Sequence, residues 1–460
     1  MINIKQFLGD RIFYRNVLKI SLPIMIQSGF TNAVSMLDNV MVGSIGTEAM
    51  SGVSIVNQLL FVFSMVIFGA GAAIGIFTSQ YHGAGDVQGV RYTFRLKICT
   101  GFVITIITVL CLVLFDREAI SLFLHETDST ADIEKTLIYG RQYLKIMLVG
   151  LLPYALSQAY ASTLRESAEV KIPLYSGIFA IICNVMLNFL LIFGLFGFPA
   201  LGVVGAAIAT VVSRFAELFI VAYFVHKRRR LYEFILGAYS SFKIPRSLLL
   251  DILKKGFPLL FNELLWSLAI TVRNQCISTA GLDAVAAFNI QTTVTNVLNI
   301  TYIALGSSIA IIVGNALGAG ELDRAKNENK KLLTFSALVG LGMGLLQISL
   351  SEIFPLLYNV SSVTRELATY MLIISGISLP ANALAVSSYY TLRSGGLTLL
   401  TMLFDCVYAW VITVPVAVIL SYLTDAGIHL LFAGVIFIES AKCILGIILI
   451  AKVKWARKLT

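Results

Sequence analysis

The chain has 460 residues, of which 58% are hydrophobic and only 13% charged, and its mean hydropathy is +0.87. Soluble domains carry roughly 25% charged residues, so this chain lacks the hydrated surface of a globule and has the composition of a polytopic membrane protein. Its net charge of +9 is scattered over separate segments rather than gathered into a nucleic-acid-binding patch, and its six cysteines and four histidines (His82, His125, His226, His429) show no C-x-x-C pair and no ligand spacing.

Apolar windows of ~20 residues, the length that crosses a bilayer as a helix, predict about twelve helices. They fall near 14–42, 52–80, 93–115, 137–162, 172–195, 200–226, 250–278, 285–315, 332–355, 367–392, 398–422 and 428–451. The first apolar run, from about Val17, is too long for a signal peptide and lacks a small-residue cleavage site.

The first helix carries Pro23 and, roughly 36 Å from its start at ~1.5 Å per residue, Asp38 in an otherwise apolar stretch. A charge at the bilayer centre costs at least ~2.5–3.5 kcal/mol, so such a residue needs a reason. The fifth helix carries Asn184 and Asn188, spaced i,i+4 and therefore on one face, and the sixth carries Thr210. A carboxylate, two amides and a hydroxyl offer oxygens to a hard cation such as Na+. A desolvated carboxyl can equally hold a proton, and the same four groups can serve only to pack helices through hydrogen bonds.

The seventh helix carries Pro258, Glu263 and Arg273. Glu263 has no base one turn away, which leaves a functional role or an ion pair to a distant helix. Asp405 on the eleventh helix and Arg273 are expected to pair with each other, and Arg214–Glu217 and Glu439–Lys442 are i,i+3 pairs able to neutralise themselves. Pro23 and Pro258 each remove a backbone hydrogen bond and are expected to kink their helices.

Of the 34 basic residues, 26 fall in segments on one side of the predicted spans, five on the other (Arg117, Lys135, Arg141, Lys145, Arg365) and three within spans. The positive-inside bias then puts both termini in the cytoplasm, and the Lys227–Arg230 run reads as an inner-leaflet anchor. A shift of 235 aligns Pro23 with Pro258, Asn39 with Asn274, Gly46 with Gly281, Gly71 with Gly306, and Gly83-Ala84-Gly85-Asp86 with Gly318-Ala319-Gly320-Glu321. With an even number of spans per half, the copies run in the same direction. The expected fold is all-α, with about 12 transmembrane helices in two pseudo-symmetric six-helix bundles: an N-lobe at 1–226, a cytoplasmic linker at 227–249 and a C-lobe at 250–460.

These residues resemble the multidrug and toxic compound extrusion family, in its NorM- and DinF-like bacterial branch. The likeness rests on Pro23 with Leu37-Asp38-Asn39-Val40-Met41-Val42-Gly43, on Asn184-x3-Asn188 with Leu201-Gly202-x2-Gly205-x3-Ala209-Thr210, on Gly256-x-Pro258-x4-Glu263 and on Leu392-Arg393-Ser394-Gly395-Gly396. It implies that Asp38, Asn184, Asn188 and Thr210 form an N-lobe cation or proton site and that Glu263 serves coupling in the C-lobe. Some members place a second acid eleven positions before the arginine of the Leu-Arg motif. Here that position is Asn382, so a C-lobe site of two carboxylates requires Asp405 to substitute for it.

The function this implies is a multidrug efflux antiporter of the cell membrane. It exchanges amphipathic or cationic small molecules for H+ or Na+, has no other cofactor, and works as a monomer among lipids. The alternative is a flippase of lipid-linked precursors or another metabolite exporter from the same superfamily. Such a flippase calls for a strongly basic cavity, whereas only Arg214, Arg273 and Lys442 lie within spans. No nucleophile–base pair or metal motif points to an enzyme.

Overall fold

The computed structural model describes residues 7–121, 130–241, 243–358, 360–424 and 427–460; Lys5 and His125 lie outside the described residues. Among the described residues there is no strand. The first-half helices are α1 (Arg11–Gly43), α2 (Thr47–Gly83), α3 (Val87–Leu114), α4 (Thr130–Val149, continued as Leu151–Glu166), α5 (Lys171–Phe193) and α6 (Val203–Lys227). The second-half helices are α7 (Arg246–Ser278), α8 (Leu282–Gly318), α9 (Leu322–Leu350), α10 (Ser362–Ser394), α11 (Thr398–Leu423) and α12 (Ile428–Lys452). A six-residue helix, Asp116–Ser121, precedes α4.

Nine of these are long and apolar enough to cross a membrane, and α4 makes a tenth as two segments bent by 46°. The remaining two, α1 and α7, are each 33 residues long but are diluted by the polar residues that single them out in the sequence. Their prolines do not break them: Pro23 and Pro258 both lie inside continuous helix, as does Pro380 in α10. α11 contains π-helical stretches at Leu403–Val407, Ala409–Thr413 and Ile419–Leu423.

By contacts the chain forms two compact units. One comprises Ile26–Thr78 and Asp86–Leu249; the other comprises Met1–Met25, Ser79–Gly85 and Leu250–Thr460. The division passes through α1 two residues beyond Pro23. In the first unit, Met41, Val42, Val56, Leu60 and Phe63 pack with Tyr143, Leu144, Met147, Ala207 and Val211. In the second, Val17 packs with Leu305, Ile309, Val313 and Phe404.

The 227–249 segment, a linker by sequence, is folded. Tyr232, Phe234, Ile235 and Ala238 are buried, and Phe94 of α3 packs edge-on against Phe234 at 5.2 Å between ring centroids. Arg95, itself buried, donates to the carbonyls of Ala238 (2.8 Å), Gly237 (2.7 Å) and Lys243 (3.3 Å). A guanidinium spreads its donors in a fixed fork, so one side chain satisfies three backbone acceptors that a loop would otherwise leave to water. Lys227 and Arg228–Arg230 remain exposed.

In the second unit the ends of α2 and α8 touch through repeat-equivalent residues. A Cβ on Gly83 would collide with the Asn315 backbone, and a Cβ on Gly318 with the Gln80 backbone. Gln80 is equivalent to Asn315 by the same shift of 235 that relates Gly83 to Gly318. Gln80 is fully buried; its Nε2 donates to the carbonyls of Ser394 (3.0 Å) and Arg457 (3.3 Å), while its Oε1 accepts from the Leu459 amide (2.7 Å). One amide thus ties α2, the end of α10 and the C-terminal segment together. Gln80→Ala strips three partners at once. At about 1–3 kcal/mol for each buried polar group left unsatisfied, the purified protein is expected to unfold at a clearly lower temperature, and an unchanged melting curve would refute this account.

Candidate functional site

The groups singled out in the first half converge. Asp38 on α1, Asn184 and Asn188 on α5 and Thr210 on α6 all lie in one unit. The glycine motif at the start of α6 explains how. A Cβ on Gly205 would lie 2.5 Å from the Leu191 carbonyl oxygen, so only glycine lets α6 approach α5 this closely, and the Leu201 amide donates to the same carbonyl at 2.8 Å. That contact sets Thr210 opposite Asn184.

Asn188, only 1% exposed, donates from Nδ2 to Asp38 Oδ1 at 2.6 Å. Its own Oδ1 is buried without a hydrogen-bond partner. Asn184 also faces the carboxylate. With its amide nitrogen turned toward Asp38 it donates to Oδ1 (3.1 Å) and Oδ2 (3.2 Å) and accepts from Thr210 Oγ1 (3.2 Å). With its oxygen turned there instead, it accepts from Asn188 Nδ2 (3.3 Å) and donates to Thr210 Oγ1 (3.2 Å). In that second orientation two acceptor oxygens meet across the site, and acceptors have nothing to exchange unless a proton or cation lies between them.

Among the described residues, Asp38 forms no ion pair with a lysine or arginine. Tyr143 of α4 was not visible as a candidate in the sequence, because one phenol in an apolar helix looks like core. It is buried, its hydroxyl donates to Asn57 Oδ1 at 3.3 Å, and it lies within hydrogen-bonding reach of Thr210. Nearby, Arg214 stacks over the Tyr154 ring at 5.2 Å and shares an electrostatic neighbourhood with Arg165 and Glu217.

The second half is arranged differently, and two expected pairings are corrected. Arg273 does not pair with Asp405 but with Glu439, at 2.5 Å. Lys442 does not turn to Glu439 one turn away; it reaches Asp405 Oδ1 at 2.7 Å. The i,i+3 spacing allowed the local pair, but side chains four bonds long choose partners across helix interfaces, where a carboxylate has less water to lose. Glu263 accepts from the Tyr389 hydroxyl at 3.2 Å and has Arg393 of α10 as a charged neighbour. Asn382 donates to Ser378 Oγ at 3.2 Å. Asp405 is thus near Glu263 but is held by a base.

Known proteins resemble this chain over nearly its whole length. The family described as MatE matches residues 23–190 and 258–419. The chain is 27% identical over 459 residues to the "Probable multidrug resistance protein NorM" of Thermotoga maritima, covering 96% of this chain and 93% of that one. It is 24% identical over 424 residues to the "Probable multidrug resistance protein YoeA" of Bacillus subtilis, covering 92% and 90%. Among solved structures, an outward-facing multidrug resistance MATE transporter superposes with a TM-score of 0.85 at 18% identity, covering 98% of this chain and 97% of that one. A MOP superfamily transporter from Pyrococcus furiosus superposes at 0.83 and 18%, with the same coverage.

Proposed function

Because the chain belongs to the multidrug and toxic compound extrusion (MatE) family, we propose that it is a secondary-active multidrug efflux antiporter, exporting amphipathic, often cationic compounds in exchange for H+ or Na+. It is a transporter, not an enzyme. Its two six-helix lobes, at 1–226 and 250–460, sit in the cell membrane with both termini cytoplasmic. It acts as a monomer on small molecules among lipids, with no cofactor beyond the coupling ion.

The observation that carries this reading is a carboxylate in a membrane helix whose neighbours are amides rather than a base. Asp38 is held at 2.6 Å by Asn188 and faced by Asn184, while the Asn188 oxygen stays unmatched. When Asp38 is ionised, the amide nitrogens face it. When it takes up a proton or Na+, oxygens are the favourable partners, and both amides turn. Because Asn184 and Asn188 share one face of α5, and Thr210 joins it to α6, ion uptake is transmitted to the packing of α1, α5 and α6. Pro23, fifteen residues from Asp38 and lacking a backbone donor, is the point at which α1 would bend as the ion binds. Glu263 and Asp405 serve coupling in the second lobe through their shared field, and Pro258 offers the equivalent hinge point in α7.

A proton is the preferred ion, since Asp38 is the one acid among the four groups and a bare Na+ demands more oxygens. Efflux from proteoliposomes with a pH gradient and a Na+ gradient imposed separately tests this. Drug release driven by the pH gradient without sodium is expected; strict dependence on sodium would reverse the choice of ion, and release under neither gradient would reject the antiporter.

A further inference from the structure

Three helices of the second half meet at a second carboxylate. Asp405 lies in the π-helical stretch Leu403–Val407. Both of its oxygens are occupied: Oδ1 by Lys442 Nζ of α12 at 2.7 Å, and Oδ2 by Asn262 Nδ2 of α7 at 3.1 Å. Asn262 is 1% exposed, and its Oδ1 is buried without a hydrogen-bond partner. The Lys442 ammonium also lies 5.7 Å from the centre of the Phe404 ring, within the range of cation–π attraction. Arg273 and Glu439 close a separate pair on the same two helices, α7 and α12.

The parallel with Asp38 is close in kind. Each half presents a carboxylate in a helix, an asparagine amide donating to it, and an asparagine oxygen left unmatched (Asn188 Oδ1 in one, Asn262 Oδ1 in the other). The difference is the ammonium. Around Asp38 there is no tethered base among the described residues, so charge balance there calls for a mobile ion. Around Asp405 the positive charge is covalently attached through four methylenes, and its carboxylate oxygen and ring face are what a small monovalent cation would use. A charge held in a membrane helix persists only when it is paired, and here the pairing needs nothing from solution.

We infer that Lys442 is a built-in monovalent cation: its ammonium occupies a cation site made by Asp405, Asn262 and Phe404, so the second half takes no mobile coupling ion while Lys442 is in place. The inference rests on reading Asp38 as the site of the mobile ion, and its test removes that site beforehand so that the two can fail separately.

The experiment counts sodium. Purified Asp38→Asn, Asp38→Asn/Lys442→Ala and Asp38→Asn/Lys442→Ala/Asp405→Asn proteins are titrated with radioactive Na+, with ethylammonium as competitor. The expected result is no saturable Na+ on the single variant, about one Na+ per chain on the double variant, displaced by ethylammonium but not by bulky choline, and loss of that Na+ on the triple variant. Saturable Na+ on the Asp38→Asn protein that disappears with Asp405→Asn overturns the inference, as does a folded double variant that binds none. Should the double variant unfold in salt-free buffer, Na+ or ethylammonium is expected to keep it folded where choline does not; unfolding in all three equally overturns it. Efflux that survives Asp38→Asn would reject the antiporter mechanism and leave the sodium count on the Lys442 variants to stand by itself.

Discussion

An Asp38→Asn protein is expected to lose gradient-driven efflux altogether, falling at least about 100-fold, to the passive leak. The substitution keeps the shape of the side chain and removes its ability to ionise. In an antiporter the ion and the drug oppose each other, and coupling between two ligands is reciprocal, typically about 1–3 kcal/mol, or roughly 5–150-fold in affinity. On the proposed mechanism, protonation of Asp38 in the wild-type protein weakens drug binding, so affinity is expected to rise as pH rises. The asparagine stands permanently in for the neutral acid. Its drug affinity should therefore be independent of pH and fixed at the weak, low-pH value of the wild type. Equilibrium drug binding measured across pH, beside transport in proteoliposomes, checks both parts. A variant that retains the wild-type pH dependence would place the coupling group elsewhere.

The largest effect on stability is expected at Lys97. This lysine of α3 is 4% exposed, forms an ion pair with Glu166 of α4, and donates to Thr163 Oγ1 at 3.3 Å. A Cβ on Gly75 of α2 would fall on the Glu166 carboxyl, so the acid is packed against α2 as well as paired with α3. Removing one partner of such a pair strands the other, at about 3–5 kcal/mol, whereas replacing both by neutral groups is often close to harmless. Lys97→Met is therefore expected to lower unfolding stability by about that amount, and Lys97→Met/Glu166→Gln to recover most of it. The double-mutant cycle decides: if the double variant is as unstable as the single, the stranded charge is not the cause.

Much of this was legible in the amino-acid order. Lipid rewards uninterrupted apolar windows, so the long helices could be read directly, and the duplication showed through matched prolines and glycines, of which Gly83 and Gly318 sit where backbones nearly touch. The Asp38 group was legible because each member is costly in a membrane helix and Asn184 and Asn188 fall one turn apart. Partner choice was not. Whether Lys442 reaches Glu439 or Asp405 depends on how α11 and α12 are rotated about their axes, and the π-helical turns of α11 shift that rotation by an amount no residue pattern announces. Tyr143 was hidden because a single phenol in an apolar helix looks like core. The order within the 227–249 linker was not legible because it comes from Arg95, more than 130 positions earlier, whose guanidinium supplies donors to its carbonyls.

The paired glycines of α2 and α8 bear on ancestry. In a two-fold dimer residue i of one copy meets j of the other while j meets i, and Gly83 with Asn315 and Gly318 with Gln80 obey that rule within a single polypeptide. The reciprocity is the one expected of a symmetric contact between two copies of one repeat. Within it the two side chains differ: Gln80 holds the backbone of Ser394, Arg457 and Leu459, whereas Asn315 Oδ1 is buried without a hydrogen-bond partner.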